Sequence, residues 1–189
     1  KESAAILSIV AQLRPQGVAV LAIDGPVHGD RVTDQGQDPA KNRVRFREAW
    51  KTGVGHTSMA ADFSIALDWA LLHPALQSLP VGYIGVSMGT AYGIPLLALE
   101  KRIRAAVIGL WSTNYVNSEH LKEFATQINC PVWFTQQWDD EFFDREGTAA
   151  LFNLIGSADK RLVAYPGPHL ELQGERLSNA IDFLKNRLS

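Results

Sequence analysis

The chain has 189 residues, 46% of them hydrophobic and 20% charged, with a formal net charge of −2. That supplies enough apolar surface for one sizeable core and one domain over residues 1–189. The balanced charge excludes the basic footprint of a nucleic-acid binder, no apolar run has the length of a membrane-spanning helix, and a single cysteine, Cys130, excludes an internal disulfide.

In chain order, Lys1 to Leu13 carries Ala4, Ala5, Leu7, Ile9, Val10 and Leu13 at helical spacing, and Arg14-Pro15-Gln16-Gly17 stops that helix. Val18–Ile23 (VAVLAI) is a continuous apolar run of the kind that forms a strand buried on both faces. It leads into the turn-rich Asp24-Gly25-Pro26-Val27-His28-Gly29-Asp30-Arg31. Val32 to His56 is long, polar and basic, and reads as a rim over a site or a plain surface excursion, with Phe46 and Trp50 anchoring a short helix. Thr57 to His73 is amphipathic and ends at Pro74. Further apolar runs at Val81–Val86, Ala105–Leu110, Pro131–Gln137 and Arg161–Tyr165 read as strands. They alternate with helical segments at Met88–Lys101, where Pro95 should kink the helix or force irregular hydrogen bonding, at Asn117–Ile128, at Arg145–Ile155 and at Leu170–Leu188. Strands alternating with helices predict an α/β fold with a mostly parallel sheet flanked by helices.

The chemistry centres on Gly85-Val86-Ser87-Met88-Gly89, a G-x-S-x-G between a predicted strand and a predicted helix. That context is a nucleophile elbow: glycines lacking Cβ let strand and helix crowd the turn while the serine stands at its tip. The bland alternative is a strand-to-helix turn whose glycines only ease packing. A serine hydroxyl needs a base oriented by a carboxylate, and in a parallel sheet these groups belong at the C-terminal ends of strands. The run Val132–Gln137 leads into Trp138-Asp139-Asp140-Glu141, and Leu162–Tyr165 leads into Pro166-Gly167-Pro168-His169. Ser87, Asp140 and His169 are thus candidates for nucleophile, acid and base, with Asp139 the rival acid. His56, His73 and His120 precede the acid and fall out of order, and His28 ends the first apolar run. Asp24, His28, Asp30 and His56 match no metal-ligand spacing, so no metal and no cofactor is expected. The backbone N–H of Met88 is a candidate oxyanion donor. Trp111 and Trp138 follow neighbouring strands and either line an apolar acyl pocket or pack in the core.

The order Ser87, Asp140, His169 and the loop Asp24-Gly25-Pro26-Val27-His28-Gly29 resemble the α/β-hydrolase superfamily, closest to its dienelactone-hydrolase-like esterases, over essentially the whole chain. The resemblance favours Asp140 over Asp139 as the acid and gives His28 a structural role. Dienelactone hydrolases proper use a cysteine nucleophile. Ser87 therefore implies an ordinary small-molecule ester as substrate, cleaved through an acyl-enzyme; a non-catalytic binding protein on the same fold, a peptidase and an acyltransferase are the alternatives. The short span from Trp111 to Pro131 leaves no room for a large cap. No signal-like segment opens the chain, so a cytoplasmic location is expected, while the absence of an initiating Met suggests a sequence incomplete at its N-terminus. The five apolar runs resemble the family's fourth to eighth strands. Its third strand would then be missing between Val18–Ile23 and Val81–Val86, to be supplied by a preceding segment or a partner, unless those two runs pair directly.

Overall fold

A computed structural model describes residues 1–32 and 38–188; residues 33–37, within the expected rim, lie outside the described residues. The chain divides into two compact units, 1–77 and 78–189.

In the first unit, Ser3 caps α1 (Ala4–Leu13) by accepting the Ile6 N–H. Pro15 then tightens the exit into a single 3₁₀ turn over Arg14–Gln16. Val18–Ile23 is not the strand that its composition predicts. Ala19–Ile23 make no backbone hydrogen bond among the described residues, and Val20 and Leu21 are exposed. An apolar run becomes a strand only through a ladder, and no described residue of this unit forms a strand to supply one. The basic segment that follows holds the helix expected around Phe46 and Trp50. Asp38 accepts the Ala40 N–H at 2.9 Å and Pro39 fills the first turn of α2 (Pro39–Lys51), which buries Phe46, Ala49 and Trp50. The last helix of the unit, α3 (Ser58–Leu71), buries Met59 and Ala60 but leaves Ile65 and Trp69 exposed.

The second unit holds the sheet. Its elements are β1 (Val81–Ile84), α4 (Met88–Leu99), β2 (Ile103–Gly109), α5 (Glu119–Thr126), β3 (Val132–Gln137), α6 (Arg145–Leu154), β4 (Lys160–Tyr165) and α7 (Gly174–Leu188). All pairings are parallel in the order β1-β2-β3-β4, with Ile84 opposite Val107, Gly109 opposite Thr135 and Gln137 opposite Tyr165. The sheet has four described strands where five apolar runs were expected. β2 and β3 are almost wholly buried, while β1 and β4, at the edges, are half-exposed. This matches their sequences, since Val, Ile, Ala and Phe run without alternation only where both faces are covered.

α4 is apolar all round and buried from Thr90 to Ala98, as a central helix must be. Its helical span runs from Met88 to Leu99 with Pro95 inside it. α7 is amphipathic, burying Leu177, Ala180, Ile181, Phe183 and Leu184, and packs against β1 and β2. Among the described residues, no helix is long and apolar enough to cross a membrane.

Candidate active site

Three loops at the C-terminal ends of β1, β3 and β4 converge within the second unit. The first is the turn from β1 into α4, where Ser87 has φ 56° and ψ −116°. A non-glycine residue pays a steric penalty there of order 1–3 kcal/mol, so the surroundings must hold it. They do so through the backbone. Gly85 N–H donates to Val107 O and Ser87 N–H to Gly109 O, both at 2.9 Å, which extends the β1–β2 ladder past the strand. On the helix side, Gly89 N–H donates to Val86 O and Thr90 N–H to Ser87 O, again at 2.9 Å. Thr90, fully buried, accepts the Gly109 N–H at 2.7 Å, and its one hydroxyl proton is shared between the Gly85 and Gly109 carbonyls.

Tyr83 lies beneath the turn with its hydroxyl donating to Gly89 O at 2.6 Å, and burial pushes its phenol well above the ordinary range. A Cβ on Gly85 would sit 2.7 Å from that hydroxyl and 3.1 Å from Gly89 Cα, whereas one on Gly89 would meet nothing nearer than 3.7 Å. Of the two motif glycines, Gly85 is the one that packing requires.

The candidate base, His169, follows β4. His169 Nε2 lies 3.1 Å from Ser87 Oγ and Nδ1 lies 2.8 Å from Asp140 Oδ2. The ring is 15% exposed and the Asp140 side chain 3%. The other oxygen of Asp140 accepts the N–H groups of Phe142 (2.9 Å) and Phe143 (3.1 Å), so the carboxylate is fixed before it meets the ring. With Nδ1 facing a carboxylate, the bonded arrangement is Nδ1–H donating to Asp140, which leaves the Nε2 lone pair toward the serine. The rings of Phe142 and Phe143 stand 5.3 and 5.4 Å from the imidazole and shield it from water.

Asp139, the rival acid, is spent elsewhere: it accepts the Gly167 N–H at 3.2 Å and faces Arg145 at 3.5 Å. Two of the other histidines are also engaged locally. His56 Nε2 lies 2.9 Å from Trp50 O, and His73 Nδ1 accepts the Ala75 N–H at 3.2 Å.

Met88 is the first residue of α4, and its N–H donates to no carbonyl among the described residues, as expected of a helix first turn that leaves its amides for a ligand. The two tryptophans differ. Trp111 is fully buried, its indole N–H donating to Ser118 Oγ at 3.1 Å and its ring 4.7 Å from Phe143, so it backs the aromatic cluster behind His169. Trp138 is 50% exposed beside Asp139, with the Arg145 guanidinium 4.2 Å above its ring. Among the described residues, no three of His, Cys, Asp and Glu are grouped to hold a metal ion.

The whole chain matches a cold-adapted esterase from an Arctic intertidal metagenomic library, solved with bound PEG, at 35% identity and a TM-score of 0.85, covering 100% of this chain and 78% of that one. The chain belongs to the α/β-hydrolase family, among its esterases. The zinc-bound structure of a cold-adapted esterase from such a library matches this α/β-hydrolase at 34% identity and a TM-score of 0.80, over 98% of this chain and 78% of the other. The Pyrococcus furiosus esterase Pf2001 shares the fold at 16% identity and a TM-score of 0.60, over 72% and 65% of the two chains. No family model matches, and a search of curated proteins finds no match.

For this hydrolase, sequence reasoning missed Tyr83, Thr90 and Glu141. Tyr83 and Thr90 flank the elbow by four and three residues, and a tyrosine on a strand before G-x-S-x-G is a signal only if its ring is known to lie under the turn. Glu141 was legible as part of the acidic run Asp139-Asp140-Glu141.

Proposed function

We propose that the protein hydrolyses carboxylic esters through an acyl-enzyme on Ser87. The observation that carries this reading is the pair of contacts Ser87 Oγ to His169 Nε2 at 3.1 Å and His169 Nδ1 to Asp140 Oδ2 at 2.8 Å. In this mechanism His169 takes the hydroxyl proton as Ser87 Oγ attacks the ester carbonyl. Asp140 holds the ring in the productive tautomer and stabilises the imidazolium. The tetrahedral oxyanion forms near the Met88 N–H at the start of α4, where a free amide and the helix dipole favour negative charge. Collapse breaks the ester C–O bond, and His169 returns the proton to the leaving alkoxide. Water, deprotonated by the same histidine, then attacks the acyl-enzyme, releases the acid and restores Ser87.

The substrate class is set by the rim. Phe142 and Leu170, which flank the Asp140 and His169 positions, and Trp138, which precedes the acidic run, are all exposed apolar side chains. They suit an apolar acyl or alcohol group of small to medium size. A fluorophosphonate probe should label Ser87, and Ser87→Ala should abolish both labelling and turnover of p-nitrophenyl esters. Undiminished turnover in that variant would exclude the acyl-enzyme.

A further inference from the structure

The loop Pro166-Gly167-Pro168-His169 carries the base, and its two prolines have no N–H. Only Gly167 and His169 can donate from its backbone, and both donate to carboxylates of one acidic run. Gly167 N–H reaches Asp139 Oδ2 at 3.2 Å, and His169 N–H reaches Glu141 Oε2 at 2.8 Å. Asp139 N–H returns a bond to Gly167 O at 3.1 Å, and Trp138 N–H donates to Tyr165 O at 2.7 Å, continuing the β3–β4 ladder into the loops. Between Asp139 and Glu141, Asp140 holds the ring itself.

From this geometry we infer that Glu141 is a positioning residue for the reaction: it fixes the backbone of His169 and, through it, the reach of Nε2 to Ser87. The imidazole hangs from a Cα whose own N–H is held by Glu141. Loss of that bond frees the rotation that sets the ring's approach to the serine, while the Asp140 contact to Nδ1 remains as a pivot. Glu141 is an exposed side chain, and water can take over its hydrogen bond, so the fold should not depend on it. The bond from His169 N–H is also the chief cause that holds the Glu141 carboxyl below the usual range, which agrees with a charge-assisted contact.

The inference rests on the triad reading, and the experiment separates the two. Wild type, Ser87→Ala, Glu141→Ala and Glu141→Gln are compared for kcat, KM, the rate of fluorophosphonate labelling and Tm. Glu141→Ala should lower kcat and the labelling rate about ten-fold, short of the roughly 10²-fold that a 1 Å misplacement of a reacting group can cost. KM and Tm should stay at their wild-type values. Glu141→Gln keeps an amide oxygen to accept the His169 N–H and should recover most of the rate. Wild-type kcat in Glu141→Ala would overturn the inference. So would equal loss in both variants, which would assign the effect to charge, or a change in KM alone. Retained turnover in Ser87→Ala would instead remove the triad reading itself.

Discussion

At the scale of single residues, the acidic run Asp139-Asp140-Glu141 shows how three adjacent carboxylates take different duties from their surroundings. Asp140 is buried, braced by two backbone N–H groups and 2.8 Å from the imidazole. Asp139 is exposed and bonds to Gly167 and Arg145. Asp140→Asn should therefore reduce kcat/KM by up to about 10⁴-fold, because an amide donor facing Nδ1 favours the wrong tautomer, whereas Asp139→Asn should cost about ten-fold or less. Steady-state kinetics of the two variants on one p-nitrophenyl ester checks the ranking. The elbow offers a second contrast. Gly85→Ala drives a Cβ to 2.7 Å from the Tyr83 hydroxyl, while Gly89→Ala meets only an ordinary contact at 3.7 Å. Thermal melts should show Gly85→Ala destabilised by about 1–3 kcal/mol, the range for overpacking. Gly89→Ala should leave stability unchanged or raise it by up to ~1 kcal/mol through helix propensity.

At the scale of elements, the sheet and helices are tied together by caps rather than by packing alone. Asp144 caps α6 by accepting the Gly147 N–H at 2.7 Å, and it also accepts the Ser112 hydroxyl at 2.7 Å and the Asn114 amide at 2.9 Å from the loop that leaves β2. One carboxylate thus starts a helix and pins the neighbouring strand exit. Burial pushes its carboxyl up, but these donors outweigh burial and hold it below the usual range. A carboxyl with a depressed folded pKa contributes stability above its unfolded value and loses it as the pH falls through the folded one. Asp144→Ala should cost about 1–2 kcal/mol at pH 7, as loss of an N-cap does. The gap between the wild-type and variant urea midpoints should shrink as the pH is lowered below about 4, the ordinary aspartate value. A gap that persists undiminished at pH 2 would assign the effect to packing.

At the scale of the molecule, the two compact units differ in how their backbone is satisfied. In the second, β2 and β3 are buried and laddered on both sides; in the first, Ala19–Ile23 make no backbone hydrogen bond among the described residues. Amide hydrogen exchange should therefore find β2 and β3 the most protected segments and Ala19–Ile23 among the fastest to exchange. Slow exchange across Ala19–Ile23 would show that a partner strand covers them in solution. Ser87, Asp140 and His169 all follow strands of the one parallel sheet at their C-terminal ends, where loops converge and strand registers fix their spacing.

Much of this was legible in the sequence, for physical reasons that act locally. An apolar run without alternation requires cover on both faces, so β2 and β3 could be read from Ala105–Leu110 and Pro131–Gln137. The G-x-S-x-G between a strand and a helix announced its own turn, and the order Ser87, Asp140, His169 could be read from the residues just past the end of each strand. The same local logic failed at Val18–Ile23, because an apolar run specifies a tendency to be a strand while the ladder depends on a partner elsewhere in the chain. The helix expected around Phe46 and Trp50 is α2, which starts at Asp38-Pro39 and buries both rings. Only the tertiary structure could show that Asp140 and not Asp139 meets the His169 ring, or tell buried Trp111 from exposed Trp138. In each pair the residue types match, and what differs is which atoms of distant loops stand within 3–5 Å of them.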